Sequence, residues 1–315
     1  MRWEGNRESD NVEDRRDEDM GGGGFGGGGG GFGLGGGGGG FGGGGRAIGI
    51  GAVVVALLAW WAFGINPLTT LSVLSGGAPP PSMQTRPAPA YQQTPAHRPP
   101  ANDPGAAFVS TVLASTEDVW GAIFQQAGAH YPPPRLVLYR GVTRTACGMG
   151  QAAMGPFYCP GDQRVYLDMD FFDTMSRQLG APGVFARAYV VAHEVGHHVQ
   201  NLQGITGKVD AQRGHISATQ QNALSVRVEL QADCYAGIWA NKSQQAKHWL
   251  DQGDIESALN AANQIGDDTL QRHQSGVVRP DSFTHGSSAQ RVRWFTQGYK
   301  TGSIKACDTF NAQNL

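Results

Sequence analysis

The 315-residue sequence predicts a helix-rich α+β domain with a small β-sheet, preceded by one transmembrane helix and low-complexity linkers. Three observations predict this fold class. Low-complexity sequence is confined to the first third of the chain, and one uncharged apolar stretch is long enough to span a bilayer. The last two thirds carry short strand patterns followed by long helical patterns. About 210 residues remain for folding, which is enough for one hydrophobic core.

Residues 1–20 contain eight acidic residues and four arginines, with few large apolar side chains. Such a segment cannot bury enough apolar surface to offset the entropy of ordering it, so a disordered acidic tail is predicted. In residues 21–45, 21 of the 25 residues are glycine. Because glycine has high backbone freedom, these residues are predicted to form a flexible linker.

Residues 46–66 are the predicted transmembrane helix, built on the 19 uncharged residues Ala47–Ile65. At 1.5 Å per residue this stretch spans roughly 28 Å, close to the thickness of the bilayer hydrocarbon. A buried core helix and a cleaved signal peptide are the alternatives. A signal peptide usually has a shorter apolar region behind a short basic one, whereas acidic and glycine-rich sequence precedes this stretch.

The orientation of this helix is predicted from the basic residues that flank it. Arg46 adjoins its amino side, and the next basic residue in the sequence is Arg86. This asymmetry favours a cytoplasmic amino terminus and an exported carboxy-terminal domain.

The cysteines support export, because all four follow the predicted span and two disulfides would use them all. Free buried thiols are the alternative. Cys147 and Cys159 are twelve residues apart without a CxxC pattern, which favours a local disulfide over a structural zinc site. Cys234 and Cys307 would then form the second pair.

Residues 67–102 are rich in proline and are predicted to form an extended spacer between the membrane and the domain. The folded domain covers residues 103–315 and begins with a helix that Asp103 caps. A second helix start is predicted at Thr116. From Asp103 onward the chain has 17 basic and 18 acidic residues, so its composition disfavours nucleic acid as a partner.

Short apolar or aromatic runs predict three strands, at Leu136–Tyr139, Phe157–Cys159 and Val165–Leu167. The turn residues 160–162 make the last two strands a hairpin. Val165–Leu167 is either an edge strand that binds an extended peptide or an ordinary paired strand. Helical patterns then follow at 184–202, 216–241, 253–273 and 287–301.

The strongest functional signal is the HExxH motif from His193 to His197. On a helix, side chains four residues apart share a face, so the two imidazoles can bind one Zn²⁺ ion. Glu194 lies about 100° around the helix and can reach a water molecule on that ion, as a general base. His198 faces elsewhere, which indicates a supporting or structural role.

A third ligand is predicted on a later helical stretch, where Glu229 and Asp233 form ExxxD. Glu229 can complete a His₂Glu zinc site, and Asp233 can accept a hydrogen bond from a ligand imidazole and fix its tautomer. Acidic pairs at this spacing are also common on solvated helices. Here the neighbours are apolar, and unpaired buried acids are costly, so the ligand interpretation is favoured.

HExxH followed by ExxxD resembles the gluzincin class of zinc peptidases. More narrowly, the chain resembles the YpfJ-like neutral zinc metallopeptidase family over about residues 103–312 and the membrane anchor. The resemblance lies in GPFYCP (155–160), VYLD (165–168) with Phe171 and Phe172, AHEVGHHVQN (192–201), ELQADCYAG (229–237) and SFTHGSSAQRVRWF (282–295). It implies a minigluzincin-like domain, one catalytic zinc ion, and a single-pass protein of the bacterial inner membrane with a periplasmic catalytic domain.

Two further site residues are implied by resemblance to membrane gluzincins, in which a histidine precedes a helix that bears an arginine. His285 corresponds to that histidine and would stabilise the oxyanion, unless it is a capping or structural residue. Arg291 would orient either Asp233 or a substrate carboxylate.

The function predicted from these residues is a membrane-anchored zinc metallopeptidase that acts on peptide or protein substrates. Two alternatives remain open. One is a catalytically silent zinc-binding module for envelope assembly or interaction, and the other is a zinc hydrolase of a different amide bond. An intact Glu194 speaks against the silent module, because a structural zinc site needs no base there.

Overall fold

The computed structural model describes residues 1–18, 97–151 and 155–315. Within these residues the α+β prediction is confirmed, with a four-stranded sheet, a separate two-stranded hairpin and a larger helical part. The strands are β1 (Val12–Asp14), β2 (Arg135–Tyr139), β3 (Val142–Thr145), β4 (Gly148–Gln151), β5 (Phe157–Cys159) and β6 (Arg164–Asp168).

Most of the buried apolar side chains lie on the helices. These helices are α1 (Pro104–Gln126), α2 (Asp170–Arg177), α3 (Val184–Leu202), α4 (Ile205–Asp210), α5 (Ala218–Lys247), α6 (Asp254–Gln264), α7 (Asp267–Ser275) and α8 (Ser288–Thr301). Short 3₁₀ turns lie at Pro280–Ser282 and Ile304–Cys307. Capping boxes at Ser217 and Ser287 fix where α5 and α8 begin, because each satisfies otherwise unpaired backbone donors.

The four-stranded sheet has the order β1-β2-β6-β5. β1, β2 and β6 run parallel, and β5 is antiparallel to β6, as the predicted hairpin requires. β6 is paired on both sides, so Val165–Leu167 is an ordinary inner strand and not the edge. The alternate residues Leu136, Leu138, Val165 and Leu167 are at most 1% exposed and join α1 and α3 in the main core.

Two predicted helix boundaries are wrong. α1 continues through Thr116, because the Thr116 hydroxyl donates to the Leu113 carbonyl within the helix and starts no new one. The pattern at 253–273 is divided between α6 and α7, with Gly266 at the break. A Cβ atom at Gly266 would collide with the backbone of Ser288, so only glycine allows this approach of α8.

The prediction of a disordered acidic tail is wrong for residues 1–18. β1 pairs in register with β2, and the Trp3 ring packs edge-on against Phe108 at 5.5 Å. Arg7 bonds to Glu117 with a separation of 3.1 Å, and Arg16 bonds to Asp103 at 2.5 Å. The charges that suggested disorder therefore have partners in the domain, which composition alone does not reveal.

The amino-terminal segment also meets the chain where the described residues resume. The Asp14 amide donates to the His97 carbonyl at 2.7 Å, which forms an isolated antiparallel bridge. The folded domain therefore includes residues 1–18 and 97–102 in addition to the predicted 103–315. Asp103 caps α1 at the predicted position, with its side chain accepting from the Ala106 amide.

Acid is expected to release part of the stabilisation that this segment provides. Burial raises the pKa of Asp14, but hydrogen bonds from Arg16 outweigh that effect and lower it. A carboxyl group with a lowered pKa stabilises the fold above its unfolded value of about 3.9 and loses that contribution as the pH falls through the folded value. Urea unfolding should therefore show wild type more stable than Arg16→Met at pH 6, with the difference shrinking towards pH 3. A difference that does not depend on pH would contradict this.

The predicted transmembrane helix (46–66) and the linker at 21–45 lie outside the described residues, as does most of the spacer at 67–102. Among the residues that are described, no helix has the length and apolar character needed to cross a bilayer. Both predicted disulfides are present, Cys147–Cys159 and Cys234–Cys307. The first ties the β3–β4 hairpin to β5, and the second ties the carboxy-terminal 3₁₀ turn to α5.

Candidate metal centre

The candidate site forms where α3 crosses α5. Gly196, one of the two variable positions of HExxH, faces Ala232 at this crossing. A Cβ atom at Gly196 would lie 3.0 Å from the Ala232 carbonyl oxygen, closer than side chains normally pack. The glycine therefore lets α5 approach α3 between the two histidines.

Three side chains converge at this crossing: His193, His197 and Glu229. One ligand atom from each lies within 4.8 Å of the others. His193 Nε2 is 3.2 Å from Glu229 Oε2, and His197 Nε2 is 3.5 Å from Glu229 Oε1. The two imidazole rings stand at 90° with centroids 4.8 Å apart. The carboxylate thus faces the Nε2 atom of each ring.

This geometry fits a zinc ion. Zinc–ligand bonds of about 2.0–2.1 Å in a tetrahedron place ligand atoms about 3.3 Å apart, close to both histidine–carboxylate separations. The electrostatics also favour positive charge. Burial lowers the pKa of His193, but Asp233 and Glu229 outweigh that effect and raise it to about 10. Two imidazoles and one carboxylate form the donor set that zinc prefers in hydrolytic sites.

Asp233 supports His193 from the side opposite Glu229. Its Oδ1 atom accepts from His193 Nδ1 at 2.9 Å and from the Tyr189 hydroxyl at 2.5 Å. Arg291 donates to both Asp233 oxygens, from Nε at 2.8 Å and from a terminal nitrogen at 2.9 Å. Burial raises the pKa of Asp233, but Arg291 and His193 hold it at about 2. Asp233 therefore stays ionised and keeps the proton of His193 on Nδ1.

His197 has a different support. Its Nδ1 atom lies 2.9 Å from Gln200 Oε1, an amide oxygen, and no carboxylate takes that position. His198 is turned away from the ligands: its Nε2 atom donates to the Pro132 carbonyl at 2.7 Å, and Nδ1 accepts from the Tyr158 hydroxyl. Burial lowers the pKa of His198, so it is a neutral structural residue.

Glu194 is 7% exposed beside the ligands, and its side chain forms no hydrogen bond with any described residue. Burial raises its pKa above the ordinary value, although the neighbouring histidines oppose the shift. A buried carboxylate without a partner is costly unless it is used, which makes Glu194 a candidate proton acceptor.

His285 lies three residues before the start of α8, and its side chain is half exposed. Its Nδ1 atom lies 3.1 Å from Asp267 Oδ1, while Asp267 Oδ2 accepts from the backbone amides of Thr284, His285 and Gly286. Partial desolvation lowers the pKa of His285, but Asp267 and Glu229 outweigh it and raise the pKa. The imidazole is thus held in place and favoured in its charged form.

The structure brings together the residues predicted from HExxH and ExxxD, and it pairs Arg291 with Asp233. Sequence reasoning missed three supporting residues: Tyr189, Gln200 and Asp267. Tyr189 precedes His193 by one turn and Gln200 follows His197 by three residues, so helical spacing could have found both. No sequence signal connects Asp267 to His285, because their contact depends on how α7 and α8 pack.

One family model matches residues 1–310 of the chain, and its description is "Putative neutral zinc metallopeptidase". The chain belongs to this family. The match begins at residue 1, so it includes the amino-terminal segment that contributes β1.

The sequences of several relatives agree with this membership. The chain is 47% identical to "Uncharacterized protein YpfJ" of Escherichia coli (strain K12) over 314 residues, which is 98% of this chain and 99% of that protein. It is 43% identical to uncharacterized proteins of Mycobacterium tuberculosis (strain H37Rv) and Mycobacterium bovis over 218 residues, 66% of this chain and 73% of theirs. No solved structure gives a significant match.

Proposed function

We propose that this protein is a zinc-dependent metallopeptidase that hydrolyses peptide bonds with Glu194 as general base. The observation that carries the proposal is the buried Glu194 carboxylate, which has no hydrogen-bond partner among the described residues and interacts electrostatically with all three ligand side chains. Family membership supports the same class of reaction.

His193, His197 and Glu229 would hold the zinc ion. When bound, zinc polarises a peptide carbonyl and lowers the pKa of a water molecule toward 7. Glu194 takes a proton from the attacking water and passes it to the departing amine. Burial raises the pKa of this carboxyl group, which favours uptake of the proton. Asp233 keeps the His193 ring fixed throughout.

His285 is the candidate donor to the oxyanion, and Asp267 holds it there. We expect Asp267→Asn to lower the pKa of His285, because the carboxylate that favours the charged imidazole is removed. The alkaline limb of the kcat/KM profile should therefore move to lower pH, and His285→Ala should lose about 10²–10³-fold in kcat. An unchanged pH profile in Asp267→Asn would show that His285 is not the donor.

The proposal is tested by incubating the whole chain, loaded with zinc, with a diverse peptide library and with non-peptide amides. The whole chain is needed because residues 1–18 form part of the sheet. We expect peptide cleavage that stops on chelation and returns with added zinc. Cleavage that survives complete metal removal, or cleavage of the other amides alone, would contradict the proposal.

The alternative is a zinc-binding module for envelope assembly that has lost catalysis. Structural zinc sites usually have four protein ligands, whereas this cluster of described residues supplies three. Stoichiometric zinc without cleavage of any library peptide would favour the silent module.

We further propose that the domain faces the oxidising, extracytoplasmic side of the bacterial inner membrane, attached through residues 46–66. The two disulfides support this compartment, because such bonds are rare in the cytosol. Alkylation of the protein in intact native cells before lysis should leave no cysteine modified. Labelling of all four cysteines would place the domain in a reducing compartment.

A further inference from the structure

We propose that Gln200 and Gln231 are positioning residues that set the tautomer of His197 from two backbone carbonyl groups. This inference rests on the proposed zinc site and assigns a role to two buried amides that are not among the defining residues of HExxH and ExxxD. Gln200 is fully buried and Gln231 is 5% exposed.

The direction of each hydrogen bond follows from the Cys307 carbonyl, which is the last group in this series of contacts. The Cys307 carbonyl can only accept, so the Gln231 nitrogen that lies 3.0 Å from it must donate. The Gln231 oxygen is therefore an acceptor, and it lies 3.0 Å from the Gln200 nitrogen. The same Gln200 nitrogen donates to the Val228 carbonyl at 2.7 Å. Both of its contacts are acceptors, so the amide orientation of Gln200 is fixed.

That orientation decides the proton on His197. With the nitrogen of Gln200 committed to two acceptors, its oxygen is the atom that faces His197 Nδ1 at 2.9 Å. An amide oxygen cannot donate, so Nδ1 must carry the proton. In the neutral imidazole the Nε2 atom is then unprotonated and free to bind a metal beside Glu229.

The Cys307 carbonyl lies in a segment that is fixed to α5 by further contacts. Cys307 is disulfide-bonded to Cys234, the residue that follows Asp233 on α5. Two residues further, the Thr309 hydroxyl donates to the Arg227 carbonyl at 2.7 Å, and the Arg227 guanidinium donates back to the Thr309 carbonyl. The carboxy-terminal segment is therefore joined to α5 on both sides of the Gln231 contact.

The two ligand histidines are thus supported by different chemistry. An ionised carboxylate holds His193, whereas neutral amides hold His197. The amide support adds no further negative charge to a pocket that already contains Glu229 and Asp233. It fixes the orientation of the ring through hydrogen-bond direction alone.

The test compares Gln200→Met and Gln231→Met with two control variants that each remove an amide contact elsewhere. Gln203→Met lies just beyond α3 and loses a bond from the Tyr235 hydroxyl, and Asn241→Leu loses a bond to the Tyr299 carbonyl. Zinc affinity is measured by chelator competition. The ring protonation of His197 is read by ¹⁵N chemical shifts in histidine-labelled protein.

We expect Gln200→Met to weaken zinc binding 10–100-fold and to reduce the Nδ1-protonated population of His197. Gln231→Met should weaken binding less, because Gln200 still has the Val228 carbonyl, and the double variant should be no weaker than Gln200→Met alone. If Gln200→Met does not fold, the zinc affinity and the His197 ¹⁵N chemical shifts of Gln231→Met still test the proposal.

The proposal is overturned if both glutamine variants match the controls in zinc affinity and in the His197 signal. It is also overturned if the losses add independently in the double variant. Absence of zinc binding in the wild type is a different result, which would overturn the proposed function itself.

Discussion

Glu194→Gln should lower kcat/KM by about 10²–10⁴-fold while leaving zinc bound, because the substitution removes a proton acceptor and no ligand. Glutamine has nearly the same shape but cannot take a proton from water. Glu194 is not among the three side chains whose ligand atoms converge, and it forms no hydrogen bond with a described residue that the change would break. The free energy of unfolding should stay the same or rise slightly, because a buried charge is replaced by a neutral amide.

The measurement is steady-state cleavage of a library-derived peptide, with zinc content determined on the same preparation. Glu256→Gln is the matched control, since Glu256 is an exposed carboxylate on α6. Unchanged cleavage in Glu194→Gln would rule out the assigned base. Loss of cleavage together with loss of zinc would instead make Glu194 part of the binding site.

The second large effect is expected for Arg291→Met. Arg291 and Asp233 form a buried ion pair, with side chains 4% and 0% exposed. Removing the guanidinium leaves the Asp233 charge uncompensated in the interior, which typically costs about 3–5 kcal/mol in free energy of unfolding. Asp233 should also hold His193 less well, so zinc affinity should fall about 10–100-fold.

Chemical denaturation and chelator competition measure these two quantities on the same variant. Arg293→Met is the control, because Arg293 lies on the same helix but is exposed and, among the described residues, donates only to the Leu315 carbonyl. Equal losses in the two variants would mean that the buried pair has no special role. Arg291→Lys should recover only part of the loss, because one ammonium cannot bond to both carboxylate oxygens in the same way.

The parts of the site that sequence could predict are those fixed by helical periodicity. His193 and His197 share a helix face because they are four residues apart. Asp233 likewise lies one helical turn after Glu229. The meeting of these two pairs is a tertiary contact, which Gly196 permits but does not predict. Asp267 lies on another helix, and Gln231, although it shares α5 with Glu229, meets Gln200 only through the packing of α5 against α3. No local pattern could therefore have identified their roles.

For the amino-terminal segment, the prediction of disorder is wrong because it depends on composition alone. The many charges and few apolar residues of this segment are typical of disorder, and composition gives no information about partners elsewhere in the chain. The partners are Glu117, Asp118 and Asp103, about 90 to 110 residues away in sequence. A strand of three residues such as β1 is also too short for an alternating pattern to emerge.

The bridge between Asp14 and His97 joins two parts of the domain that lie far apart in sequence. The Asp14 amide donates to the His97 carbonyl, and β1 pairs in register with β2. A protein shortened to residues 103–315 would therefore leave one side of β2 without its partner strand. An uncovered strand edge presents unpaired backbone donors and acceptors to other chains, so the shortened protein should aggregate more readily than the whole chain.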